Sequence, residues 1–95
     1  MALTAKIANE MVEYGRLLYQ AGLIAGTEGN LSVRLDDDRI LITPSGLPKG
    51  RIHTEDLVVV DRNGRQLEGT NSASSELLMH LRVYRQRADI NACVH

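Results

Sequence analysis

The 95-residue chain has no Trp and no Phe, and its tyrosines number three: Tyr14, Tyr19 and Tyr84. Leu, Ile and Val must therefore fill the core, and the aromatic faces on which single-stranded nucleic acid stacks are lacking. A single cysteine, Cys93, excludes an internal disulfide framework and suits a reducing compartment. Nor is there a basic stretch: 11 Lys+Arg stand against 12 Asp+Glu, a net charge of −1, which removes the electrostatic case for a nucleic-acid partner. No apolar run approaches the roughly 18 residues needed to cross a bilayer. Met1 to Glu10 carry charges of both signs, and no secretory apolar region follows them. No membrane partner is expected, and the expected location is the cytoplasm.

What is present is ordinary globular material, 43% hydrophobic and 24% charged. A chain of this size hides roughly two thirds of its unfolded surface, enough for one modest core. Leu3, Ile7, Met11, Tyr14, Leu18 and Ala21 recur at spacings of three and four, which predicts a first helix with those residues inward and Gly22 as its stop. Leu31, Val33 and Leu35 alternate with Ser32 and Arg34 as a half-buried strand. Asp36-Asp37-Asp38 turns, and Ile40-Leu41-Ile42 returns. After an irregular stretch holding Pro44 and Pro48, Thr54-Glu55-Asp56 reads as a short turn into the apolar run Leu57-Val58-Val59-Val60. Asp61-Arg62-Asn63-Gly64 has hairpin-turn chemistry, with a weak, exposed strand over Arg65 to Glu68. A second helix is predicted from about Ser72–Glu76 to Arg87, with Leu77, Leu78, Leu81 and Tyr84 inward, followed by a strand over Ile90 to His95. The order implies an α/β layered fold with a mostly antiparallel sheet.

Three loops share one kind of chemistry: Gly26 to Asn30, Thr43 to Gly46, and Ser72 to Ser75. Each combines small residues with hydroxyls or amides able to donate to an anion. The third opens the second helix, where unpaired N–H groups favour a phosphate. Any one of these has a plainer reading. Ser72 or Ser74 serves equally well as a helix N-cap, and Glu76 in a first turn is a routine partner of the helix dipole. His80, four residues on, reads as a hydrogen-bonded structural histidine, Cys93 as a packed thiol, and His53 carries no signal. His95 alone makes no zinc site, which needs three or more protein ligands. Three such loops in one short chain are what favour a binding site.

Taken in order, Gly26-Thr27-Glu28-Gly29-Asn30-Leu31-Ser32-Val33-Arg34, Leu41-Ile42-Thr43-Pro44-Ser45-Gly46, Glu55-Asp56-Leu57-Val58 with Asp61 and Gly64, Ser74-Ser75-Glu76 with His80, and Val94-His95 closely resemble the N-terminal half of the class II aldolase/adducin family. The resemblance covers essentially the whole chain. It implies a layered α/β/α sandwich with a mostly antiparallel or mixed sheet, a homotetramer, and one divalent metal per subunit, usually zinc. Carried over position by position, Gly29, Asn30, Ser45, Gly46, Ser74 and Ser75 would cradle a substrate phosphate. Glu76 would be the catalytic acid/base, and His95 the first of three metal-binding histidines. The family's motif there is His-x-His, with a third histidine much further on. This chain ends before both, so residues 1–95 read as the N-terminal part of a single domain whose remainder is missing. Isolated, those 95 residues would be inactive and hold zinc poorly. Ala73 stands where relatives often have Pro, a change at a first helical position that costs little, and Ser45 keeps the hydroxyl of a frequent Thr.

The implied activity is a metal-dependent lyase cleaving a sugar phosphate, such as a ketose 1-phosphate, to dihydroxyacetone phosphate and an aldehyde. The family also holds sugar-phosphate 4-epimerases, dehydratases and decarboxylases. Glu76 disfavours the epimerases, which tend to carry Asp there. A non-catalytic, adducin-like binding domain would have no reason to keep both Glu76 and His95.

Overall fold

The computed structural model describes residues 2–95. Helix α1 spans Ala2–Gln20, strand β1 Leu31–Asp36, β2 Arg39–Ile42, β3 Val58–Val60, β4 Gln66–Glu68, helix α2 Leu77–Gln86 and β5 Ala92–Val94, with a short 3-10 turn at Thr54–Asp56 before β3. The five strands form one sheet in the order β4-β3-β2-β1-β5, and every pairing is antiparallel. The expected α/β class and layered sheet are what the chain adopts.

Alternation along β2 and β3 makes the layers. Leu41 and Val59 point to one face, where they pack with Leu31, Ile52, Leu57 and the α1 residues Ala8 and Met11. Ile40, Ile42, Val58 and Val60 point to the other, against Leu81 and Tyr84 of α2. The sheet is thus covered by a helix on each side, and its central strands are apolar on both faces. Ile42 and Val58 are fully buried, and each such side chain stabilises the fold by about 1.5–3 kcal/mol.

Four details depart from the sequence expectations, each for a packing reason. Tyr14, expected inward, is 58% exposed, and Ala21, past the helix end, is also exposed. The inward stripe of α1 instead runs through Ile7, Ala8, Met11, Val12, Gly15 and Leu18. Gly15 belongs there because a Cβ on it would meet the Lys49 carbonyl oxygen at 2.6 Å, so the helix presses directly on the 47–50 loop. The Leu3 side chain, also expected inward, lies outside the described residues. On α2, Leu78 is 78% exposed, and fully buried His80 takes the inward place beside Leu77, Leu81 and Tyr84. The polar face of β1 is not a solvent face, since Ser32 is buried and Arg34 half-buried under α2. Arg34 donates to the carbonyls of Tyr84, Arg87 and Ile90 at 2.7–3.1 Å and lies 4.8 Å from the Tyr84 ring centroid, satisfying backbone groups that the end of α2 would otherwise leave open.

Helix α2 also begins later than expected. Glu76 is its N-cap residue and Leu77 its first helical one, so Ala73 lies outside the helix and proline chemistry at a first helical position does not apply to it.

Candidate anion-binding cleft

Backbone pairing draws the donor-rich loops together. Beyond β2, Pro44 and Ala73 form an antiparallel bridge. The Ser45 N–H donates to the Ser72 carbonyl at 2.9 Å, and the Ser74 N–H to the Thr43 carbonyl at 3.0 Å, joining the second and third loops. The first loop is tied in from the other side, where the Leu31 N–H donates to Thr43 Oγ1 at 3.1 Å. Asn30 and His95 exchange backbone bonds at 2.8 and 2.9 Å, which fastens the end of β5 to that loop.

The result is an open cleft of about 430 Å³. Gly29, Asn30, Ser45 and Gly46 line one part of it, and Ser74, Ser75, Glu76 and His95 another. All eight residues singled out from the sequence are therefore on one surface. Their donors are fewer than the sequence implied, because the amides of Asn30, Ser45 and Ser74 are consumed in holding the loops together. Among the described residues, the backbone N–H groups of Gly29, Gly46 and Ser75 make no such bond. The Glu76 N–H donates to Ser74 Oγ at 3.1 Å, so the Ser74 hydroxyl caps the turn ahead of α2, as its plainer reading anticipated.

Glu76 and His95 are exposed at the cleft. His95 offers one metal ligand beside a carboxylate. Among the described residues no three His, Cys, Asp or Glu side chains gather as a metal site, so these residues do not complete one. Cys93 is half-buried beneath α2, and burial pushes its thiol up from the ordinary cysteine value.

Lys49, a residue of the site, escaped the sequence reading. Lys49 is 3% exposed, lines the cleft, and donates from Nζ to the carbonyls of Thr27 and Leu47 at 2.9 and 3.0 Å. Burial lowers its ammonium from the usual lysine value. It follows Pro48 in an irregular stretch, and no periodicity marks it. His80 bonds through Nδ1 to Ser32 Oγ at 2.6 Å and through Nε2 to Asn30 Oδ1, and Ser32 Oγ bonds Tyr84 Oη at 2.7 Å. Burial lowers the His80 pKa below the ordinary histidine value. The positive form of His95 pushes it the same way, and Glu76 opposes them. The structural reading of His80 is right, and its partner is a residue of the cleft.

A second concavity, of about 500 Å³, lies beside Arg34, Asp36, Arg62 and Arg85. It collects charges of both signs, with Asp36 paired to Arg39 at 2.7 Å, and gathers no comparable set of hydroxyls and free amides. Among the described residues no helix is long and apolar enough to cross a membrane.

Comparison with known proteins agrees with the fold. Residues 9–95 match the family described as Class II Aldolase and Adducin N-terminal domain. A 3-oxo-tetronate 4-phosphate decarboxylase of Haemophilus influenzae is 45% identical over 85 residues, which are 90% of this chain and 40% of that protein. A 5-deoxy-D-ribulose 1-phosphate aldolase of Bacillus thuringiensis is 43% identical over 94 residues, 98% of this chain and 44% of the relative. Among solved structures, an L-fuculose 1-phosphate aldolase superposes with a TM-score of 0.88 at 42% identity, covering 95% of this chain and 43% of the other. The chain spans less than half the length of these relatives. With a matching family over nearly its whole length and a three-layered α/β fold, the chain belongs to the class II aldolase and adducin N-terminal domain family.

Proposed function

We propose that this chain is the N-terminal part of a larger single domain with sugar-phosphate lyase activity, in which the three loops hold the substrate phosphate and Glu76 moves a proton at the reacting carbon. The convergence of Gly29, Gly46, Ser75 and Glu76 on one cleft carries this reading. Free amides on small residues let a phosphoryl group approach the backbone and accept several hydrogen bonds at once. Ser45 adds an exposed hydroxyl on the same surface.

Held there, a ketose 1-phosphate would present its C3–C4 bond toward Glu76. Cleavage of the C3–C4 bond goes with loss of the C4 hydroxyl proton, which the Glu76 carboxylate takes up. The protonated Glu76 then delivers it to the carbanion left at C3 of dihydroxyacetone phosphate. In the condensation direction the carboxylate removes that proton, and the fixed phosphate keeps the carbon within reach. A divalent cation, zinc in the first instance, would supply Lewis-acid polarisation of the substrate oxygens when bound, with His95 as one ligand and the others from outside the described residues. The exposed Leu23 and Val94, 72% and 65% accessible, are consistent with cover by further protein. The homotetramer and cytoplasmic location expected from the sequence belong to this proposal, and light scattering of the full-length protein tests the former.

The relatives include both aldolases and a decarboxylase. Those reactions share a phosphate anchor and a carbanion, so the cleft supports the class, and aldol cleavage is the member proposed. The test is Glu76→Gln in the full-length protein. Exchange of the dihydroxyacetone phosphate C3 hydrogen into D2O, followed by NMR, should fall by about 10²-fold or more while phosphate binding persists, as for loss of a general base. Exchange at the wild-type rate would remove Glu76 from the chemistry. A panel of ketose 1-phosphates, assayed for aldehyde and for carbon dioxide, then separates aldol cleavage from decarboxylation. A wild-type protein inert in both assays would support the adducin-like reading.

A further inference from the structure

His80 is fully buried and lies behind the cleft, touching none of the space a substrate would occupy. Its two ring nitrogens are both engaged, and the partners dictate where each proton sits. Burial favours the neutral ring. Among the described residues Ser32 Oγ is the partner of the buried Tyr84 hydroxyl, so Tyr84 donates to it and the Ser32 hydroxyl donates to His80 Nδ1. A neutral His80 then carries its hydrogen on Nε2, where Asn30 Oδ1 accepts. Every hydrogen in the chain from Tyr84 through Ser32 and His80 to Asn30 points the same way.

The consequence lies at Asn30. Its carbonyl end is taken by His80, and among the described residues its amide nitrogen has no hydrogen-bond partner. No buried side-chain nitrogen or oxygen among the described residues lacks a partner. The Asn30 NH2 group is therefore reached by solvent, and Asn30 lines the cleft and the smaller apolar hollow beside it. An inverted amide would turn a carbonyl lone pair toward the ligand and repel an oxyanion.

We infer that the buried Tyr84–Ser32–His80 relay is a positioning device that turns the donor end of the Asn30 amide into the cleft and so selects a phosphoryl group there. The inference rests on the proposed phosphate site and adds to it a residue that never touches substrate. Asn30 is also held through its backbone, by the pair of bonds it exchanges with His95.

The test uses full-length protein and inorganic phosphate as the probe. In the wild type, two-bond 1H–15N correlations should show His80 as the neutral Nε2–H tautomer, and phosphate should shift the Asn30 side-chain NH2 resonances. His80→Phe keeps a packed ring without the donor, and should weaken phosphate binding about tenfold or more, as for one lost hydrogen bond to a charged group. His80→Gln places an amide N–H near the Nε2 position and should restore binding to within about threefold of wild type. The Nδ1–H tautomer, or a folded His80→Phe protein that binds phosphate as the wild type does, overturns the relay and leaves the phosphate site standing. A wild type that binds no phosphate overturns the site itself, and the relay's purpose with it. Should His80→Phe fail to fold, the wild-type tautomer and the Gln variant still decide.

Discussion

Gly46 and Gly22 make a matched pair. Their φ angles are +74° and +75°, and a Cβ built on either finds no heavy atom within 4 Å. Alanine in the left-handed region costs about 1–2 kcal/mol. The stiffer unfolded chain of alanine returns about 0.4–1 kcal/mol of that. Gly46→Ala and Gly22→Ala should therefore each destabilise the full-length protein by about 1 kcal/mol, and by nearly the same amount, in urea titrations followed by circular dichroism. They differ in what lies beyond the new methyl. Gly22 ends α1 and donates its N–H to the Tyr19 carbonyl at 3.1 Å, whereas Gly46 lines the cleft. A methyl there occupies the approach to the Gly46 amide, and a phosphate pushed off it loses a hydrogen bond worth about 1.5–3 kcal/mol to a charged partner. That corresponds to about 10- to 100-fold weaker binding. Calorimetric titration with inorganic phosphate should show this loss for Gly46→Ala and none for Gly22→Ala. Equal phosphate affinity in two equally destabilised variants would refute the assignment of the 43–46 loop to the anion site.

Lys49→Met removes a cation that ties the Thr27 and Leu47 carbonyls together, while the pressing of Gly15 on the Lys49 backbone leaves the loop in place. The Thr27 carbonyl sits at the open cleft and rehydrates, so the expected loss is about 1–3 kcal/mol in urea unfolding, with weaker phosphate binding, a sum below two full charge-assisted bonds. The protein should also show a histidine-dependent acid limit. Burial holds the His80 pKa in the folded state below its unfolded value of about 6.5. As pH falls through 6.5 the unfolded chain takes up a proton that the native one refuses, so stability is lost from there down to the folded pKa and is flat above 6.5 on this account. The slope should approach about 1.4 kcal/mol per pH unit for one proton and vanish in His80→Gln, checked by urea midpoints between pH 5 and 7.5. An unchanged slope in His80→Gln would assign the acid limit to other groups.

The elements themselves were legible in the sequence because local chemistry specifies them. The three-to-four spacing of α1, the β-branched run before Asp61, and the Asn63-Gly64 turn, braced by Asp61 Oδ1 accepting from the Asn63 and Arg65 amides at 2.9 Å, all appear where expected. The start of α2 was less legible. Ser72, Ser74 and Ser75 all have N-cap chemistry, and the Ala73–Pro44 bridge holds that segment in an extended pairing that no local signal announces. The bridge also decides the site. Two hydrogen bonds between segments nearly thirty positions apart lay the 43–46 and 72–75 loops against each other, and sequence spacing carries no trace of such contacts.

The misassigned residues share one cause. Ser32 and Arg34 took the place of polar solvent-facing residues in a clean alternation, and His80 displaced Leu78 from the inward stripe of α2. In each case a polar side chain occupies a position where burial normally requires an apolar one, and its cost is offset by hydrogen bonds within the protein. Ser32, His80 and Tyr84 bond one another and end on Asn30, while Arg34 closes the far end of α2. A layer built only for stability would place Leu or Val at Ser32 and His80. Polar groups there weaken the hydrophobic pattern that makes helices and strands readable, and they form a connected path from the core of α2 to the cleft. Departure from the pattern is thus itself a pointer to the site, since local rules are expected to fail where function imposes a different arrangement.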